Sequence, residues 1–103
     1  DFSKRHIDDF MRHGADYVLF TSSSTVNNFA TILGAENLAR LQERTRFISI
    51  GPVTTQTAKD TGLKVSAQAT EHDLNGIFKT LLAYEARHGD IEKASNRTLK
   101  RKR

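Results

Sequence analysis

The chain contains no cysteine and a single proline. Without thiols there is no disulfide, no thiolate nucleophile and no Cys-ligated zinc or iron–sulfur centre. No apolar run approaches the roughly 20 residues needed to span a bilayer. The opening DFSKRHIDDF lacks the apolar stretch that a secretion signal uses. These absences together predict a soluble, cytoplasmic protein. Also missing are a Walker A loop and a G-x-G-x-x-G turn, which removes support for a nucleoside triphosphate or a dinucleotide.

What is present fits one modest domain. The 103 residues bury about two thirds of the surface that they expose when unfolded. The formal charge is +4, but Lys93, Arg97, Lys100, Arg101, Lys102 and Arg103 all lie in the last eleven residues. Without those six cations the rest of the chain is close to neutral, so the basicity describes an appendage and says little about the core's ligand. Residues 1–88 are read as the domain, and residues 89–103 as a basic, disordered tail.

Hydrophobic periodicity orders the elements. KRHIDDFMRH, residues 4–13, places Ile7, Phe10 and Met11 on one side of a helix, with Gly14 as its stop. DYVLF, residues 16–20, has no polar alternation and predicts a strand covered on both faces. Val26, Phe29, Ala30 and Leu33 follow at helical spacing up to Gly34, and a shorter helix is expected over ENLARLQER. RFISIG, residues 46–51, is a second buried strand. Pro52 suits the first turn of a helix that Gly62 closes. LKVSA, residues 63–67, is a weaker third strand. Thr70 with Asp73 offers a capping-box-like start to a last helix. That helix carries Leu74, Ile77, Phe78, Leu81 and Leu82 and runs to about His88. The order α-β-α-α-β-α-β-α predicts a three-layer, flavodoxin-like α/β domain with a parallel sheet. Three strands are few for that architecture, so the domain is expected to be incomplete.

Two junctions share one design. In FTSSSTV and IGPVTTQ a buried strand ends, a run of hydroxyl, glycine or proline residues follows, and a helix begins. In a parallel sheet both lie at the carboxyl ends of the strands, where ligands bind in such folds. Helix starts offer unpaired N–H groups and partial positive charge, to which hydroxyls add donors. A single N-cap needs one hydroxyl. The first loop has five, and the second helix adds Thr54, Thr55 and Thr57. Capping and an uncharged anion site both remain open on this pattern.

Other candidates carry less. His6, His13, His72 and His88 have no metal-ligand spacing and are read as surface histidines. Asp8 and Asp9 are adjacent and do not face each other, which speaks against an acid–base pair. No G-x-S-x-G elbow surrounds the serines, so they are binding groups and not nucleophiles. The KRKR tail has no interleaved aromatics and no nucleic-acid module, and a solubilising end is favoured over a nucleic-acid partner.

DYVLFTSSSTVNNF, then FISIGPVTTQTAKDTGLKV, then ATEHDLNGIFKTLL resembles the C-terminal half of uroporphyrinogen-III synthase over about residues 14–85. That family shows F-T-S-P/S-S-x-V and I-G-P-x-T-x-x-x-x-x-x-G-L-x-V in this order. Thr21, Ser22 and Ser24 match the first motif, and Gly51, Pro52 and Thr54 match the second. Ser23 stands where proline is common, and Val53 where other members have threonine. The resemblance implies that Thr21, Ser22, Ser23, Ser24, Gly51, Pro52, Val53 and Thr54 bind substrate.

The resemblance further implies a lyase of porphyrin biosynthesis, serving heme and the cobalamin or siroheme routes. It cyclises hydroxymethylbilane to uroporphyrinogen III with inversion of the last pyrrole ring and loss of water. No metal or organic cofactor is implied. The substrate lies between two α/β domains, so the missing second domain is an expected partner, and residues 1–103 alone are expected to be inactive. Fusion behind a uroporphyrinogen-III C-methyltransferase occurs in the family and is a possible origin. The family's tyrosine belongs to the other domain, and neither Tyr17 nor Tyr84 matches it. A free sheet edge would allow dimerisation. The competing reading is a non-catalytic flavodoxin-like module that holds a small anion on the same loops.

Overall fold

Three short strands, packed against helices on both faces, organise the molecule. The computed structural model describes the backbone over residues 4–100 and the side chains over residues 5–88. The elements are α1 (Lys4–His13), β1 (Tyr17–Phe20), α2 (Ser23–Leu41), β2 (Arg46–Ser49), α3 (Pro52–Asp60), β3 (Val65–Gln68) and α4 (Leu74–Lys100). The strands form one parallel sheet in the order β1-β2-β3. This is an α/β fold, with Tyr17 opposite Arg46 and Phe20 opposite Ser49 in the first pair.

Because successive strand residues point to opposite faces, the sheet feeds two cores. Val18, Phe20 and Phe47 join α1, α2 and α3 through Phe10, Phe29, Leu33, Leu41 and Ala58. Tyr17, Leu19 and Ile48 join α4 through Ile77, Leu81 and Tyr84. The second pair is irregular: Phe47 lies opposite Val65, but Ile48 lies opposite Ala67. One extra residue, Ser66, is therefore inserted, which is the geometry of a bulge. Its effect is visible in the packing, since Val65 joins the first core and Ala67 the second although they share the same parity.

The expected helix after the first serine run and the shorter one behind it form one element with an internal break. Gly34 sits at φ 83, ψ 160, a region open essentially to glycine alone. Asn37 Nδ2 bridges the break by donating to Leu33 O at 2.9 Å. A Cβ at Gly34 would touch nothing within 4 Å, so the whole cost of a side chain there is backbone strain. Gly34→Ala is expected to lower stability by about 1–3 kcal/mol, measured by urea denaturation. An unchanged midpoint would refute the conformational reading.

Two expectations for the last helix are corrected. Thr70 does not cap it: Asp73 does, with Gly76 N donating to Asp73 Oδ1 at 2.7 Å and Ile77 N to Asp73 O at 3.0 Å. The shorter reach wins because Asp73 directly precedes the first helical residue. The expected five-residue stripe is also only half buried. Ile77 is enclosed, while Leu74, Phe78 and Leu82 are 59%, 51% and 68% exposed. Three strands about 4.8 Å apart make a surface about 10 Å wide, and one helix row fills it. The row at positions 74, 78 and 82 is turned aside.

The helix also continues past His88 to Lys100. Gly89 costs about 1 kcal/mol relative to alanine but does not bar a helix as proline would. The side chains of the expected tail, and all of residues 101–103, lie outside the described residues. Among the described residues no helix is long and apolar enough to cross a membrane.

Candidate functional site

Parallel neighbours send their following loops to the same edge of a sheet. β1 and β2 are such a pair, so residues 21–25 and 50–55 emerge side by side. A hydrogen bond joins them directly: Thr57 Oγ1 on α3 donates to Ser23 Oγ on α2 at 2.8 Å. The two hydroxyl-rich corners therefore form one surface.

Within that surface most hydroxyls serve the protein itself. Ser22 is the N-cap of α2, in extended conformation, and its Oγ accepts from Thr25 N at 3.2 Å. Ser24 Oγ and Thr25 Oγ1 lie 3.1 and 2.7 Å from the same oxygen. The capping reading thus holds for Ser22. Ser22→Ala is expected to cost about 1 kcal/mol of stability, seen as a lower thermal midpoint; an unshifted midpoint would show that Ser24 or Thr25 substitutes for it. In the second corner, Thr55 Oγ1 hydrogen-bonds with Ser49 Oγ and donates to Gln68 Oε1 at 2.7 Å. That network ties α3 to the ends of β2 and β3.

What the hydroxyls leave over are backbone amides. The first N–H groups of a helix have no carbonyl one turn back. Thr25 N is taken by Ser22, and Thr55 N donates to Gly51 O at 3.0 Å. The N–H groups of Ser23, Ser24, Val53 and Thr54 have no such partner among the described residues. Pro52 occupies the first turn of α3, where its missing donor is not needed. Gly51 is the N-cap of α3 and provides no side-chain acceptor.

The sequence candidates separate by exposure. Thr21, Ser24, Pro52 and Val53 are open to solvent, and Ser22 and Ser23 are half-buried. Thr54 is only 5% exposed, so little of it reaches the surface. No residue of loops 21–25 and 50–55 carries a charge, which leaves two helix N-termini as the local source of positive potential. A surface of this kind is suited to anionic groups, to which unpaired backbone N–H groups at helix starts can donate.

A third loop reaches the same edge and was not legible as part of the site. Residues 69–73 follow β3, with Ala69 N donating to Ser49 O at 2.9 Å. The His72 ring lies over Gly51: a Cβ built there would meet the ring's Cγ and Cδ2 at 3.3 Å. The signal in the sequence was the position of ATEHD in a third strand-to-helix junction, not any motif around the histidine.

A family model described as uroporphyrinogen-III synthase HemD matches residues 1–79. No curated protein and no solved structure matches the chain significantly.

Proposed function

This chain belongs to the uroporphyrinogen-III synthase family, and from that membership we propose that its two paired corners hold acidic arms of hydroxymethylbilane while it closes to uroporphyrinogen III. Closure joins the two ends of the linear tetrapyrrole, inverts the last ring and releases one water. A flexible chain left alone closes without inversion, so the service required is orientation, which anchoring several carboxylates provides. Backbone amides of Ser23, Ser24, Val53 and Thr54, with Thr21 and Ser24 as flanking hydroxyls, are the anchors. The observation that supports this reading is the Thr57–Ser23 hydrogen bond, which puts both helix starts on one surface.

In this proposal the opposite wall of the cleft is a second α/β domain, and residues 1–103 bind the substrate without cyclising it. The test is an NMR titration with uroporphyrin III, a stable polycarboxylate of the same class. The expected result is amide shifts at residues 23, 24, 53 and 54. Shifts confined to the amino ends of the strands, or none, would overturn it. Shifts produced by inorganic phosphate alone would favour a small-anion holder.

We also propose that the outer edge of β1, which pairs with no strand among the described residues, associates with a second copy. Sedimentation equilibrium is expected to show a dimer, and a monomer throughout the micromolar range would refute this.

A further inference from the structure

We propose that His72 is a carboxylate-binding residue of this site, supplied by the loop after β3; the inference rests on the function proposed above and adds a third loop to it. Loops 21–25, 50–55 and 69–73 all leave the carboxyl edge of the sheet. Across these three loops His72 is the sole side chain able to carry positive charge. The two acidic neighbours are engaged elsewhere. Glu71 Oε1 pairs with Lys79 Nζ at 3.4 Å, and Asp73 Oδ1 caps α4 through Gly76 N at 2.7 Å.

The imidazole itself is placed but not engaged. It is exposed and has no hydrogen-bond or ion-pair partner among the described residues. Its ring rests on Gly51, the N-cap of α3. Gly51 has φ −173 and ψ −179, an extended conformation that any residue adopts, so backbone geometry does not require glycine there. A Cβ at position 51 would lie 3.3 Å from Cγ and Cδ2 of the ring, and the ring would have to shift by a few tenths of an ångström to admit it. Glycine at 51 thus leaves room for His72 beside the start of α3. A carboxylate seated on the Val53 and Thr54 amides meets an imidazole N–H from the side, and a protonated ring adds a charge-assisted hydrogen bond to neutral ones.

The test is a fluorescence titration of the whole chain with uroporphyrin III, comparing wild type, His72→Gln and His13→Gln. His13 ends α1 at the other end of the sheet, so it controls for general charge. The expected result is affinity about tenfold weaker for His72→Gln, the weight of one hydrogen bond to a charged group, and unchanged for His13→Gln. A long-range nitrogen–proton spectrum of the wild type is expected to show the His72 ring nitrogens shifting as the probe is added. Equal affinity of wild type and His72→Gln, or equal weakening by both variants, overturns the role of His72 and leaves the proposed function standing. Failure of the wild type to bind overturns both.

Discussion

Phe20→Ala is expected to lower folding stability by about 3–5 kcal/mol, close to the whole margin of a small domain that holds about 5–15 kcal/mol. Phe20 is completely buried. Its ring stacks on Phe47 with centroids 5.6 Å apart and planes 5° from parallel, and it meets Phe29 edge-on at 5.5 Å. Phe29 in turn meets Phe10 at 6.2 Å, so a chain of rings centred on Phe20 and Phe29 connects β1, β2, α2 and α1. Truncation removes that ring's transfer energy and leaves a cavity that the packed sheet and helices around it cannot fully close. Because Phe20 directly precedes residues 21–25, the loss should also loosen the start of α2. Circular dichroism melting is the measurement. Phe20→Leu, which keeps more of the volume, is expected to recover most of the difference. A melting midpoint for Phe20→Ala within a few degrees of wild type would show that the aromatic cluster is not what holds the layers together.

Gly76→Ala sets two opposing effects against each other. Helix propensity alone favours alanine by about 1 kcal/mol, and Gly76 lies in the first turn of α4. A Cβ there, however, would come within 1.9 Å of Glu71 O, 2.7 Å of Glu71 C and 2.8 Å of Glu71 Cβ. Two of these are backbone atoms, which no rotamer change can move. Relief requires displacing residues 71–73, and overpacking of this kind costs about 1–3 kcal/mol, occasionally more. The clash exceeds the propensity gain, so the variant is expected to be less stable by urea denaturation. The displaced loop carries His72 away from Gly51, so uroporphyrin affinity should fall as well. A stabilised variant with unchanged affinity would mean that the loop yields freely.

These two sites mark where sequence reading succeeds and where it stops. The ring of Phe20 was legible as buried, because an unbroken apolar run cannot belong to a strand with one face in water. Gly76 gave no sign of its contact. Its constraint comes from a carbonyl five residues earlier, brought against it by the turn that precedes α4. The exposed row at Leu74, Phe78 and Leu82 is a similar case. Periodicity reports which residues share a helix face, whereas the width of the sheet beneath decides how much of that face is covered.

The candidate site divides along the same line. Both hydroxyl-rich corners, and the residues at them, were readable, because a switch from strand to helix period marks a strand-to-helix junction wherever it occurs. That Thr54 is almost wholly buried and that His72 settles on Gly51 were not readable, since each depends on atoms distant in the chain.

Local pattern by itself determined the element order, the two-faced sheet and the corners, for these follow from the spacing of apolar side chains and the backbone preferences of glycine and proline. Only the tertiary structure decided which donors remain available at the corners and that a third loop joins them. Hydrogen-bond partners are shared out between segments, and that allocation exists only when the segments have met.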